Sequence, residues 1–169
     1  MRSALSGTMG TAGAPAVDEE RLWTDQRSAL EPVRAVLEEA GFYAYRTIDQ
    51  SSRPVVACDT EAGHVDVRIG ADGLVLEVWA TSPGLFLEEE DLRRRAALER
   101  LARISMPALA RGMLGPGQEI WWDEADHGVG ARLREELPFA ARERLGGIAR
   151  RRLAELNDLI ALVETRLAE

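Results

Sequence analysis

Lysine is absent from this chain, so all 21 basic residues are arginines. That excludes mechanisms built on a lysine amine, a Schiff base or a P-loop lysine among them. Cysteine occurs once, at Cys58, which rules out an internal disulfide and a thiolate zinc site. It lies in the apolar, strand-like run RPVVACDTE, where a buried, inert thiol is expected rather than a nucleophile. Histidine occurs twice, at His64 and His127, without the HxxxH or HxH spacing that places two ligands on one helix or strand face. No run approaches the roughly 20 apolar residues of a membrane span. The opening MRSALSGTMGTAGAPAV also lacks the apolar stretch of a signal peptide, so a cytoplasmic protein is expected. GxSxG, Walker and GxGxxG patterns are missing, and Gly115-Pro116-Gly117 follows a helical pattern instead of opening one, as a loop does. Positive charge is also in deficit. A net charge of -8 disfavours nucleic acid, which needs cations clustered on one face.

What remains is a chain of 169 residues with 46% hydrophobic and 30% charged residues, the balance of one folded domain with a real core. The arginine-only basicity with many Ala and Gly points to a GC-rich coding genome, as in actinobacteria. Residues 1–17 carry Ser, Gly, Thr, Ala and Pro without apolar periodicity and predict a disordered leader; the domain is expected over 18–169. From Asp18 to Gly41, Leu22, Trp23, Leu30, Val33, Leu37 and Ala40 recur at helical spacing, with a break at Glu31-Pro32 and a stop at Gly41.

The period then changes. FYAYRTI, PVVACDT, HVDVRIG and LVLEVWATS are short, Val- and Ile-rich runs that predict three or four strands, the last two joined as a hairpin by Asp72-Gly73. A second helix follows, headed by the acids Glu88, Glu89, Glu90 and Asp91, which suit the positive end of its dipole. Its buried stripe is expected to be Leu92, Ala96, Ala97, Leu101, Ile104, Ala108 and Leu109, with a kink at Pro107. Two more strands are expected over 119–123 and 129–137, the ARLREEL part of the second being readable also as a helical turn, then a long helix over 140–169. Along it Leu153, Leu156, Ile160, Val163 and Leu167 form a three-four seam, for the sheet or for a partner helix in a dimer. The triplets Arg93–Arg95 and Arg150–Arg152 are expected on solvated helix faces, paired with nearby acids.

The segment QEIWWDEADHG, at 118–128, concentrates scarce residue types. Asp123, Asp126 and His127 could serve a metal site or a small hydrolase. Strand alternation, however, sends Trp122 to the face opposite Trp121 and Asp123 and leaves Asp126 and His127 in a turn. The expectation is therefore no catalytic group, no metal and no cofactor. Trp79, Phe86, Trp121 and Trp122 are the candidate contact residues for a partner, because a large aromatic outside the core is usually a binding residue.

The element order, helix, strands, helix, two strands, helix, resembles the α+β domain of type III secretion chaperones such as the CesT-like proteins, and of the YbjN family. The likeness is carried by LEEAGF at 37–42, HVDVRIGADGLVLEVWA at 64–80, DLRRRAALERLARISMPALARGM at 91–113 and VGARLREELPF at 129–139, and spans nearly all of 18–169. It implies a non-enzymatic protein that binds an extended segment of a client protein or peptide, often as a homodimer. An acidic protein of this kind would prefer basic or neutral segments. A structural subunit of a larger assembly is the other non-enzymatic alternative.

Overall fold

The computed structural model describes residues 19–169, so the expected leader at 1–17 lies outside the described residues. Helix α1 (Glu19–Ala29) is separated from α2 (Glu31–Glu39) by Leu30, with Pro32 in the first turn of α2, where its missing N–H costs nothing. Gly41, at φ 90°, ends α2. Four strands follow, β1 (Ala44–Ile48), β2 (Pro54–Thr60), β3 (Gly63–Ile69) and β4 (Leu74–Ser82). Next come α3 (Leu92–Met113), β5 (Gln118–Asp123), β6 (Gly128–Leu137), a 3-10 turn at Phe139–Arg144 and α4 (Leu145–Ala168). The long last helix thus starts later than its apolar pattern predicts. Pro138 opens a tighter turn first, its carbonyl accepting from the Ala141 N–H.

The strands form one antiparallel sheet in the order β1-β2-β3-β4-β6-β5, an α+β architecture. Ala44, Cys58, Val65, Val78 and Leu133 stand in register across five strands, and all are buried. The helices pack on this face. In α4, Leu153, Leu156, Ile160 and Val163 are buried, Leu167 packs against the core, and the helix lies across β4 and β6. The seam therefore packs on the chain's own sheet. Gly146 lets α4 approach α2 closely, since a Cβ there would collide with that of Ala40.

The arginine triplets tie elements together. Arg150 donates to the Ala40 carbonyl at the end of α2 and lies 4.8 Å over the Phe42 ring. Arg152 holds Glu135 of β6 at 2.7 and 3.0 Å and Glu155 at 2.9 and 3.0 Å. Arg95 donates to the carbonyls of Leu87 and Glu89, while the Asp91 carboxylate caps α3 by accepting from the Arg93 N–H at 2.9 Å.

One expectation is overturned in α3. Leu92, Leu101 and Ile104, assigned to its buried stripe, are 72%, 59% and 70% exposed, and Ala96, Ala97 and Ala108 are exposed with them. The core side is Ala102, Met106 and Ala110. The helix packs beside β5 and α4, where Trp122 and Phe86 already supply the bulk, so small or pliable residues face inward. Pro107 sits within α3 without ending it. No helix among the described residues is long and apolar enough to cross a membrane.

Candidate binding face of the sheet

Strand alternation gives the sheet a second face, opposite the one on which α4 packs, and most of its side chains are polar. One row runs Asp59, His64, Trp79, Arg132 and Glu119, cross-strand partners from β2 to β5. The next runs Tyr45, Ala57, Asp66, Glu77 and Arg134, from β1 to β6. The segment HVDVR explains the concentration: positions 64, 66 and 68 point one way, and Val65 and Val67 the other.

His64 is the hub. Its Nδ1 donates to Asp59 Oδ1 at 2.6 Å and its Nε2 to Asp66 Oδ1 at 2.8 Å. The Tyr45 hydroxyl donates to the other Asp59 oxygen at 2.7 Å. The Asp66 hydrogen bond, opposed by partial burial and reinforced by Asp59, raises the His64 pKa to about 9. At neutral pH the ring is an imidazolium with both N–H groups committed. It lacks the free nitrogen and near-neutral pKa that a general base needs, and serves as a fixed charge between two strands. The same bonds, that from His64 first, hold Asp59 below the usual carboxylate range. Donation to Asp59 pushes Tyr45 up to about 12. Trp79 tilts against the imidazolium with ring centroids 5.4 Å apart.

Beside this hub lies a cavity of about 610 Å³ lined by strand residues of this face and by the 49–53 turn. Val55, Ala57 and Val75 form its apolar floor and are almost wholly screened from solvent. Arg68 is nearly buried there, with Glu77 at 3.5 Å as its carboxylate neighbour among the described residues. Arg132 reaches Glu119 at 2.5 Å. Both signs of charge are therefore present, and no three His, Cys, Asp or Glu side chains among the described residues converge as metal ligands.

The four candidate aromatics divide between the faces. Trp79 and Trp121 stand half-buried on the open face, Trp121 with its indole over Gly130, where an added Cβ would lie 2.5 Å from the ring. Trp122 is a core residue, 7% exposed, and stacks on Phe86 with centroids 6.1 Å apart. Its indole N–H is buried without a hydrogen-bond partner among the described residues. Trp122 and Phe86 thus pack with each other, leaving two aromatics for a ligand.

Asp123, Asp126 and His127 are not brought together as a site. The Asp123 carboxylate accepts from the N–H groups of Ala125 and Asp126 at 3.0 and 3.2 Å, which shapes the turn. Asp126 is exposed, and His127 occupies the turn at φ 51°, more than half exposed, with its Nδ1 3.2 Å from Glu99. Cys58 is fully buried in the core, where burial pushes its thiol up to about 11.

No family model, curated protein or solved structure matches this chain. Function has to be read from the geometry of the open face.

Proposed function

We propose that this protein is a peptide-binding module, chaperone-like in action, that holds an extended segment of a client protein along the open face of its sheet. The observation that carries this is the cavity of about 610 Å³ on this sheet face, with Val55, Ala57 and Val75 at its floor and the half-buried indole of Trp79 in its lining, while Trp121 stands half-buried on the same face, two strands from Trp79. One aromatic in the wall of the trough and a second further along the same face, with paired charges around them, suit a segment whose side chains alternate between the sheet and solvent. The edge strands β1 and β5 each leave one side unpaired within the sheet, a second place where backbone bonds could form. The charges on the face are nearly all internally paired, so basic or neutral segments fit better than acidic ones in a chain of net charge -8.

Selection of a random-peptide phage library on the full-length protein tests this. Enriched peptides should bind the wild type and a Leu162→Ala control alike, and bind Trp79→Ala and Trp121→Ala about tenfold or more weakly. Failure to enrich, or equal binding to both tryptophan variants, would overturn it.

A further inference from the structure

We propose that the outward face of α3 is a docking site for an acidic amphipathic helix of another protein. It is a second surface, separate from the open sheet face and independent of the function assigned there.

Ala97, Leu101, Ile104 and Ala108 follow one another at four, three and four residues, which is the spacing of a helix–helix seam. A run with that period normally marks the buried side of a helix, yet all four are exposed, Leu101 at 59% and Ile104 at 70%. The helix has its own core side at Ala102, Met106 and Ala110, so the seam adds little to the packing among the described residues. Two large residues between two alanines allow a partner helix to approach closely at both ends and be gripped in the middle.

Charge selects the occupant. Helix α3 carries six arginines against one glutamate in a protein whose net charge is -8. Arg94, Arg95 and Arg103 are engaged, with Glu89, with the Leu87 and Glu89 carbonyls, and with Glu124. Arg93, Arg100 and Arg111 lie along one flank of the seam, and none has a carboxylate within ion-pair distance among the described residues. A helix with acidic positions beside its apolar stripe would pair with all three. In a symmetric antiparallel pairing of two copies, the unpaired arginines of both would gather along the same side of the seam, a like-charge arrangement. A lipid surface is also a poorer fit, since the stripe offers one leucine and one isoleucine and no aromatic residue to insert.

The test uses the full-length protein and a synthetic probe of about three heptads, with leucine at the seam positions and glutamate beside them. Fluorescence anisotropy should show saturable binding that weakens with added salt. Ile104→Asp and, separately, the pair Arg100→Glu with Arg111→Glu should each weaken it about tenfold or more. These positions are exposed, so unchanged thermal melts should show that the variants fold, and Trp121→Ala should bind the probe normally. Absence of binding, equal binding by a probe with arginine in place of glutamate, or insensitivity to both sets of substitutions would overturn the proposal. So would light scattering showing a dimer that Ile104→Asp dissolves, which assigns the face to a second copy, or binding to anionic vesicles in preference to the probe.

Discussion

The indole of Trp121 occupies the space that a side chain on Gly130 would need, with three ring atoms within 2.5–2.7 Å of where a Cβ would stand. The two residues are cross-strand partners, Trp121 on the edge strand β5 and Gly130 on β6. Gly130→Ala should therefore push the indole outward without disturbing the core face, because the ring is only half-buried while the backbone beneath it is paired in the sheet. The expected cost is about 1 kcal/mol, the low end of overpacking penalties, since a half-exposed ring can yield. Tryptophan emission should shift to the red. An unchanged spectrum together with a stability loss of several kcal/mol would mean that the ring is held rigidly and the backbone has to move instead.

Stability should fall as pH rises through the mildly alkaline range, and His64 is the cause. Its ordinary pKa is 6.5 and its folded value about 9. Below about 6.5 both states carry the proton, and the stabilisation from Asp66 and Asp59 is fully present. Above that the unfolded chain gives up its proton while the folded chain keeps it, so the advantage shrinks with rising pH and is gone once pH passes 9. Cys58, buried and raised to about 11 from 9.0, opposes folding only above about 9. Urea midpoints measured between about pH 6.5 and 8.5 should decline for the wild type and stay nearly level for His64→Gln. Parallel curves for the two proteins would show that the imidazolium is not held as described.

The element pattern was legible in the sequence because apolar spacing reports it directly. Strands β1 to β4 and the β3–β4 hairpin follow from alternation and from Asp72-Gly73, and the turn at Asp123–His127 follows from the polar run after Trp122. The open-face network was harder to see. Tyr45 and Asp59 are 14 residues apart, and their hydrogen bond depends on the β1–β2 register, which nothing local specifies. HVDVR did carry part of the signal, since alternation alone puts His64, Asp66 and Arg68 on one face. Which tryptophan of the adjacent pair is buried also depended on tertiary structure. Trp122 goes inward because Val129, its partner on β6, lies on the core face.

In helix α3 the apolar spacing points to the solvent side, and stability measurements can check the observed assignment. Met106 is 3% exposed and Ile104 is 70% exposed, two residues apart on the same helix. Met106→Ala should cost about 2–5 kcal/mol, since it removes a buried side chain from a cluster that includes Trp122. Ile104→Ala should change stability by no more than about 0.5 kcal/mol, because the higher helix propensity of alanine offsets the little packing that the isoleucine supplies. The size of the residues points the other way, because by side-chain volume alone isoleucine is the better core candidate. Only the way α3 lies against β5 makes methionine the interior residue. Denaturant midpoints at low protein concentration would separate the two. If Ile104→Ala cost as much as Met106→Ala, the outward stripe would be covered by the chain itself, and the docking surface assigned to it would not exist.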